Sequence, residues 1–354
     1  MDNLVKKLKN YYCGRNVLIT GHSGFKGVWF SILLKSLGAN VYGISLLPNR
    51  DTKLFNETEC QLCVESHFVD INNLLELSKT LSQINVDTVF HFAAQSLVPT
   101  ARLFPFTTYA TNISGTLNLI QSLQELNHNV DLVLVTTDKV YKDIGELKLF
   151  SEDDDLGGSE PYSLSKSAID KFVQDLACHD KDGPINYGIA RAGNVIGGGD
   201  WAKDRLVPDF IHSVMLNKEM LVRNFNAVRP WQHVIEPLTG YAVLAMNLQD
   251  NYIDNIFNFG PDASSIVPVK YILDFGQKVF PNARFLEEGS NLIETKQLGL
   301  SNQKAKSQLN ISPVWEIDTS LLKTFDWYKK YMSGENPYKL CKSDIDSYFD
   351  GAKR

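Results

Sequence analysis

Short apolar, β-branched runs alternate with helical patterns along the first half of the chain. The runs predict six strands, at residues 16–20, 40–46, 67–71, 88–93, 131–136 and 186–192. The intervening residues favour helices, among them one at residues 28–37 and one that begins near Glu160. Almost wholly apolar strands that alternate with helices are typical of a parallel sheet covered on both faces. The pattern therefore predicts an α/β fold with a Rossmann-type, doubly wound parallel sheet.

The pattern changes near Gly197, where the segment GGGDWAKDR interrupts the alternation. Shorter elements punctuated by proline follow, and a further strand at residues 256–259 is expected to rejoin the sheet. The change predicts a smaller, mixed α/β, C-terminal substrate domain. We assign the Rossmann domain to residues 1–192 and 230–260, and the substrate domain to residues 193–229 and 261–354.

Composition narrows the functional classes. The 354 residues are 44% hydrophobic and 21% charged, with a net charge of −6 and no concentration of Lys and Arg, which argues against a nucleic-acid partner. Neither a secretory signal nor a membrane-spanning run is visible. The five cysteines are scattered, and the pair Cys60 and Cys63 lacks the second pair or the histidines of a metal site. A cytoplasmic protein without a metal is expected.

A glycine-rich turn follows the first predicted strand and opens a helix. Gly21, Gly24 and Gly27 are spaced as G-x-x-G-x-x-G, with Ser23, Phe25 and Lys26 between them. Small residues let the backbone approach a pyrophosphate, and the helix N-terminus favours its negative charge. The alternative is a tight strand-to-helix turn without a ligand. The placement predicts a dinucleotide cofactor.

The second predicted strand lacks the acidic residue that usually holds the adenosine ribose. The positions after it offer Ser45, Asn49 and Arg50, and Arg50 together with Lys26 would suit a ribose phosphate. The choice between NAD and NADP therefore stays open on these residues. Asp70 ends the third predicted strand, where it either meets the adenine or caps a helix.

Five residues form the predicted catalytic group. Tyr162 and Lys166 lie four apart in a helical pattern, which puts both on one face. A neighbouring ammonium stabilises tyrosinate, so such a tyrosine acts as a general base. Thr137, Asp138 and Lys139 follow the fifth strand, at the sheet edge where ligands bind in open α/β folds. A solvated helix face and a loop-capping pair are the alternative interpretations.

Together these motifs resemble the extended short-chain dehydrogenase/reductase family, from Gly14 to Tyr331. The resemblance implies an oxidised nicotinamide cofactor, NAD rather than NADP, that stays tightly bound and is recycled. It adds HFAAQSLV at residues 91–98 and an N-x-x-G-T segment to the cofactor site. The further cofactor residues implied are Ile71, Phe92, Ala93, Ala94, Gln95 and Asn112.

Within the family, the segments GHSGFKGVW, TTDKVY, EPYSLSK, ARAGNVIGGGDWAKDRLVPD and RPWQHVIEPLTGY are similar to the nucleotide-sugar 4,6-dehydratases. The Asp138–Lys139 pair is similar to that of members acting on CDP-sugars, whereas members acting on dTDP-sugars usually carry Asp-Glu. The resemblance implies a hydro-lyase of deoxysugar biosynthesis acting on CDP-glucose, with a GDP- or UDP-sugar as the alternative substrate.

The resemblance also implies a role for each catalytic residue. Tyr162 takes the C4 hydroxyl proton while hydride passes to NAD, and Thr137 and Lys166 support the alkoxide. Asp138 is then the acid for the departing C6 hydroxyl, and Lys139 takes the C5 proton. Hydride finally returns to C6.

The substrate site is expected to begin after the sixth strand. Arginine suits a diphosphate because its fork of donors matches phosphate oxygens. Trp201 and Trp231 either stack a ring or pack in the core, Pro208 borders the site, and His233 is expected to be structural. The residues assigned to the substrate are Ser96, Asn194, Asp200, Trp201, Arg205, Arg223 and Arg229.

Two other functional classes remain. A nucleotide-sugar 4-epimerase or oxidoreductase needs Tyr162, Lys166 and Thr137 but not the pair at 138 and 139. A non-enzymatic NAD-binding regulator needs none of them. The resemblance further implies a homodimer, formed through the Tyr162 helix and the helix at residues 115–126.

Overall fold

A seven-stranded sheet forms the centre of the computed structural model, which describes residues 2–145, 148–180, 182–249, 255–287 and 298–351. The strands are β1 Asn16–Thr20, β2 Asn40–Ser45, β3 Glu65–Phe68, β4 Thr88–His91, β5 Val130–Val135, β6 Ile185–Ala192 and β7 Ile256–Phe259. Their order is β7-β6-β5-β4-β1-β2-β3, and every neighbouring pair is parallel. This is the doubly wound order with one strand added, so the predicted fold class is confirmed.

Helices cover both faces of the sheet and build the C-terminal region. Among the described residues, none of them has the length and apolar content needed to cross a bilayer. The helices are α1 Asp2–Tyr12, α2 Phe25–Ser36, α3 Lys53–Leu62, α4 Leu74–Leu81, α5 Val98–Leu103, α6 Pro105–Tyr109, α7 Gly115–Gln124, α8 Pro161–His179, α9 Leu206–Leu216, α10 Ile235–Asn247, α11 Val269–Val279, α12 Gln303–Gln308, α13 Ile317–Met332 and α14 Pro337–Gly351.

The alternation of side-chain direction along each strand explains why the sheet has an apolar core on each face. Successive side chains of a strand point to opposite faces. In β1, Leu18 packs in the core formed with α4, α7 and α8, whereas Val17 and Ile19 pack in the core formed with α2 and α10. In β5, Leu132 and Val133 divide between the same two cores. The near-continuous apolar strands of the sequence therefore reflect burial on both faces.

The third strand lies earlier than the sequence predicts. It spans Glu65–Phe68 instead of residues 67–71, because β2 ends at Ser45, which pairs with Phe68. Residues 69–71 thus have no strand to pair with and continue into the cleft edge described below. The predicted second and fourth strands also run one and two residues too far, and α2 begins three residues before the predicted helix, directly after Gly24.

The remaining elements lie at the carboxyl end of the sheet and against α2 and α3. Four short strand pairs stitch them together: Lys148–Phe150 with Leu298–Leu300, Val195–Ile196 with Gln232–His233, Glu219–Val222 with Arg284–Glu287, and Val228–Pro230 with Ile266–Pro268.

A buried carboxylate ties the C-terminal helices to the sheet. Glu236, at the start of α10, accepts hydrogen bonds from the backbone of Val314 and Trp315 and from the Tyr348 hydroxyl at 2.7 Å. The apolar core on this face runs without a break from α2 and α10 into α13 and α14. The predicted domain boundaries stay a prediction, since the two regions share this core.

Candidate active site

A cleft of about 1500 Å³ opens at the carboxyl ends of the central strands. Every residue assigned to the site from the sequence lines it, except Gln95 and Asn112. The residues brought together in this way are Gly21, Ser23, Gly24, Phe25, Lys26, Gly27, Asp70, Ile71, Phe92, Ala93, Ala94, Ser96, Thr137, Asp138, Lys139, Tyr162, Lys166, Asn194, Asp200, Trp201, Arg205, Arg223 and Arg229.

The glycine loop has the geometry of a dinucleotide cradle. Gly21 adopts φ +77°, and a Cβ there would lie 2.9 Å from the Ala93 nitrogen. A Cβ on Gly27 would lie 2.3 Å from the Gly21 oxygen. α2 begins beside this loop without an acidic residue in its first turn, so its free N–H groups suit a pyrophosphate. The loop therefore fits NAD.

The His22 side chain packs against β2 and β3 and thereby supports the glycine loop. The sequence did not indicate this role. Its ring is buried, and Nε2 lies 2.9 Å from the Ser66 hydroxyl of β3. Burial lowers the pKa of His22 to about 4. A Cβ on Gly43 would lie 2.2 Å from this ring, so the histidine depends on a glycine in the neighbouring strand. Only the tertiary pairing of β1, β2 and β3 brings these residues together.

Gln95 and Asn112 lie behind the cleft wall. The Asn112 carboxamide accepts from the Gln95 backbone nitrogen at 2.8 Å and donates to the Gln95 oxygen at 3.0 Å. It also donates to the Ser165 hydroxyl of α8 at 2.9 Å. This amide thus joins the loop after β4 to the helix that carries Tyr162 and Lys166. The arrangement suggests that both residues position the site instead of contacting the cofactor.

The hydroxyls predicted to be catalytic, Thr137 after β5 and Tyr162 on α8, lie within hydrogen-bonding reach of each other. Thr137 donates to Asp138 Oδ1 at 2.8 Å, and its oxygen accepts from the Lys139 backbone nitrogen at 3.3 Å. Burial raises the pKa of Tyr162 to about 12, against a hydrogen bond with Thr137 and the charge of Arg205. In the protein without ligands, Tyr162 is therefore protonated near neutral pH.

The two lysines beside these hydroxyls are easier to deprotonate than free lysine. Lys166 donates to the Val135 backbone oxygen at 3.0 Å. Burial, followed by the charge of Lys26, lowers the pKa of Lys166 to about 8. Burial, followed by the charge of Arg205, lowers the pKa of Lys26 to about 8 as well, while Asp138 and Asp200 oppose the shift. Lys26 thus lies close enough to Arg205, Asp138 and Asp200 to interact with their charges.

The surroundings of Asp138 favour a protonated carboxyl. Its side chain is buried, and burial raises its pKa, although Lys139, Thr137 and Lys26 oppose the rise. Gly193 lies directly beside this carboxyl, where a Cβ would lie 3.1 Å from Oδ2. The missing side chain at 193 leaves one side of the carboxyl open to a ligand.

The opposite wall carries the residues assigned to the substrate. Arg205 donates to Asp200 at 2.9 Å, and this ion pair raises the pKa of Arg205 although burial acts against it. Trp201 is buried under the Lys53 ammonium, which lies 3.9 Å from the ring centroid. Arg223 lies 3.6 Å from Asp204.

Two neighbouring positions have structural contacts. Arg229 donates to the Val228 backbone oxygen at 2.8 Å while still lining the cleft. His233 is fully buried between the rings of Trp29 and Trp315, outside the cleft lining.

A second buried charge cluster lies directly behind the catalytic group. Asp170 accepts from Arg191 at 2.7 and 2.9 Å, from the Thr136 hydroxyl at 3.0 Å and from Gln174 at 2.7 Å. Arg191 donates further to the Tyr141 hydroxyl at 2.8 Å. Both members of the pair are fully buried. The sequence analysis did not identify this network.

Comparison with known proteins settles the family. Residues 17–260 match the model of the NAD dependent epimerase/dehydratase family. The chain belongs to this family. The match agrees with the predicted NAD-dependent family. The matched residues include both the glycine loop and the helix that carries Tyr162 and Lys166.

Individual relatives agree with this assignment. CDP-glucose 4,6-dehydratase of Salmonella typhimurium is 36% identical over 98% of this chain and 99% of its own. Among solved structures, a UDP-glucose 4-epimerase has a TM-score of 0.79 at 21% identity and covers 91% of this chain and 99% of its own. A dTDP-glucose 4,6-dehydratase of Bacillus anthracis, in complex with NAD, has a TM-score of 0.74 at 20% identity, with coverage of 92% and 100%. These structures share the fold.

Proposed function

We propose that this chain is a CDP-glucose 4,6-dehydratase, a hydro-lyase that forms CDP-4-keto-6-deoxyglucose and recycles its NAD. The observation that carries the proposal is the position of Asp138 and Lys139, which line the cleft beside Thr137 and Tyr162. An epimerase or oxidoreductase needs a base at C4 but no second acid–base pair. The Salmonella relative supports the choice of nucleotide, since its sequence aligns along nearly the whole of both chains.

Oxidation at C4 begins with Tyr162. Its hydroxyl must lose a proton to act as base, and the cations Lys166 and Arg205 favour the tyrosinate. Thr137, within hydrogen-bonding reach of Tyr162, holds the same substrate oxygen. An oxidised nicotinamide held by the loop of Gly21, Gly24 and Gly27 would supply the hydride acceptor for C4 and, once reduced, the hydride donor for C6.

Loss of water then uses the pair that follows Thr137. The C4 ketone acidifies the C5–H bond, and Lys139, in its neutral amine form, takes that proton. Asp138, kept protonated by burial, gives its proton to the departing C6 hydroxyl. One water leaves across C5 and C6, and addition of hydride to C6 together with return of the proton from Lys139 to C5 completes the 6-deoxy product.

The substrate wall supplies the diphosphate contacts. Arg205, Arg223 and Arg229 all line the cleft, and guanidinium groups match phosphate oxygens. Ser96 and Asn194 are polar lining residues with the reach to meet the sugar, and Trp201 forms part of the same wall.

We also propose that the active form is a homodimer. Large apolar side chains are exposed on α5 and α8 and at the start of α6, and Leu103, Phe104 and Phe106 are 74%, 60% and 87% exposed. Leu164 and Phe172 of α8, which packs against α5 and α6, continue this surface. Light scattering that gives the mass of one chain would contradict the dimer. A cytoplasmic location stays a prediction.

Substrate profiling tests the proposed reaction. Purified protein is incubated with CDP-glucose, dTDP-glucose, UDP-glucose, UDP-GlcNAc and GDP-mannose, with and without added NAD, and mass spectrometry follows the loss of one water. We expect water loss from CDP-glucose without net accumulation of NADH. Water loss only from another sugar would overturn the nucleotide, and isomerisation without water loss would favour the epimerase.

A lysine variant tests the assignment of the C5 base. Lys139→Ala is expected to slow water loss by about 10²-fold, the usual contribution of a general base at the low end of its range. In deuterated water it is also expected to slow deuterium incorporation at C5. Normal turnover together with normal C5 exchange would remove Lys139 from the mechanism.

A further inference from the structure

At the end of the proposed reaction, the general base and the general acid are left in opposite protonation states. Tyr162 has gained the proton of the C4 hydroxyl, and Asp138 has lost its proton to the departing C6 hydroxyl. The C5 proton leaves this difference unchanged, because Lys139 takes it and later returns it. Each new turnover therefore needs one net proton transfer from the Tyr162 hydroxyl to the Asp138 carboxylate, a requirement that rests on the proposed function.

The Thr137 hydroxyl lies between these two groups. It donates to Asp138 Oδ1 at 2.8 Å and lies within hydrogen-bonding reach of Tyr162. A hydroxyl oxygen has two lone pairs. The Lys139 backbone nitrogen donates to one of them at 3.3 Å, which leaves the other for the Tyr162 hydroxyl. The hydrogen bonds can then run in one direction, from Tyr162 through Thr137 to Asp138.

We propose that Thr137 relays the proton from Tyr162 to Asp138 and so restores both groups between turnovers. Tyr162 gives its proton to the Thr137 oxygen while Thr137 gives its own proton to Asp138 Oδ1. One O–H bond breaks at Tyr162 and one forms at Asp138, and Thr137 exchanges its O–H bond for another. The negative charge moves the opposite way, from Asp138 to Tyr162, so no oxidant or reductant is needed.

The Asp138 carboxyl then has to present the proton to the sugar. A half-turn about its Cβ–Cγ bond exchanges its two oxygens, and torsions of this kind are broadly distributed in proteins. Oδ2 lies beside Gly193, whose missing side chain leaves room for a ligand. One oxygen of the carboxyl thus faces the relay, and the other is open to the departing hydroxyl.

Burial makes exchange with solvent a slow alternative to the relay. Tyr162, Thr137 and Asp138 are only 9%, 7% and 6% exposed. All three line the cleft, so solvent reaches them from that side. A nucleotide sugar bound in the cleft covers this side, and an internal route remains open when the solvent route is closed.

The charges at the two ends favour the transfer once the cofactor is oxidised. Burial raises the pKa of Asp138, so its carboxylate readily takes a proton. Burial also raises the pKa of Tyr162, but the charge of Arg205 opposes that rise. The Lys166 ammonium and the positive charge of an oxidised nicotinamide would add to this opposition. The relay therefore resets both groups at the start of a turnover, when the tyrosinate is needed.

Rapid-quench measurement of water loss over several turnovers tests the relay. The full chain, loaded with NAD, is mixed with excess CDP-glucose. The wild type is compared with Thr137→Val, which lacks the hydroxyl, and with Thr137→Ser, which keeps it. Both end groups equilibrate with solvent before mixing, so Thr137→Val should still complete one turnover per site. We expect its later turnovers to be about 10²-fold slower than its first, the low end of what a positioned proton donor contributes. The wild type and Thr137→Ser should show no such difference.

Imidazole buffer provides a second readout, which a purely structural role of Thr137 would not change. At constant pH and ionic strength, added imidazole should speed the later turnovers of Thr137→Val, because imidazolium then supplies Asp138 with its proton. The same addition should leave the wild type unchanged.

Two results would overturn the relay. Equal slowing of the first and later turnovers in Thr137→Val would restrict Thr137 to contact with the C4 oxygen. A slow later phase that does not respond to imidazole would assign that phase to product release. A wild type that releases no water from CDP-glucose would contradict the proposed function, and the relay with it, so the two failures are distinguishable.

Discussion

Two clusters of buried charge lie one helical turn apart in this protein, and they differ in how far their hydrogen bonds are satisfied. In the structural cluster, the Asp170 carboxylate accepts four hydrogen bonds, two of them from Arg191. In the cluster proposed to be catalytic, Lys166 has one hydrogen-bond partner among the described residues, a backbone oxygen, and Asp138 accepts from one hydroxyl. Among the described residues the Lys26 ammonium has no hydrogen-bond acceptor.

The difference separates stability from function. A buried charge whose hydrogen bonds are all satisfied within the protein is compatible with a stable fold. It has no donor or acceptor left to bind a ligand. A buried charge with few partners is costly, and its pKa moves into the range that catalysis needs. Thr136 and Thr137 show how close the two clusters are. The Thr136 hydroxyl donates to Asp170, and the adjacent Thr137 hydroxyl donates to Asp138.

The largest contrast is expected between two buried tyrosines. Tyr162→Phe removes the proposed base, so the rate of water loss should fall about 10³-fold without a change in the midpoint of thermal unfolding. Tyr141→Phe removes a hydroxyl bonded to Arg191 and Asn258, so it should lower stability and leave turnover within a few-fold. Steady-state rates and unfolding midpoints of both variants check this. Equal losses of activity in the two would abolish the distinction.

Two aspartates provide the next test. Asp170→Asn leaves Arg191 buried without its partner, and we expect it to cost about 3–5 kcal/mol in the free energy of unfolding. Asp138→Asn keeps the fold, because burial already favours the neutral form, but should slow water loss about 10²-fold. Urea denaturation and single-turnover assays measure the two effects. A large loss of stability in Asp138→Asn would place it with the structural cluster.

The pH dependence of turnover is the smallest effect that we expect. The pKa of Lys166 is lowered to about 8, so its charge is present below that pH and lost above it. Turnover should therefore fall as pH rises through about 8, since neutral Lys166 no longer stabilises the tyrosinate. Lys166→Arg, which stays charged, should remove this decline.

Lys26 needs a separate control because its pKa is also about 8. Lys26→Met should keep the decline if Lys166 causes it, with a midpoint shifted upward because a neighbouring positive charge has been removed. If the decline disappears in Lys26→Met and persists in Lys166→Arg, then Lys26 is the group that titrates.

Several parts of the site could be predicted because they depend on local geometry. Gly21, Gly24 and Gly27 lie within one turn, and Tyr162 and Lys166 share a face because four residues make about one turn of a helix. The residues after β1, β4 and β5 meet because parallel strands end at one edge of a sheet. No long-range contact has to be known for any of these inferences.

Other parts depend on contacts between distant residues. The His22 ring lies against Gly43, and the Asp170 carboxylate accepts hydrogen bonds from Arg191. Neither pair can be predicted from the residues around its members in the sequence. The third strand was misplaced for the same reason, since its end is set by the end of β2 and not by its own residues.

The sequence alone thus determined the parallel α/β fold and brought together the residues of the predicted cofactor loop and the predicted catalytic group, because helix and strand periodicity fix which neighbouring side chains share a face. Only the tertiary structure decided where the charged and amide side chains of the site point. It turns Lys26 towards Asp138 and moves Gln95 and Asn112 behind the wall. The physical reason is that a side chain's direction and solvation depend on residues far along the chain, which burial brings together.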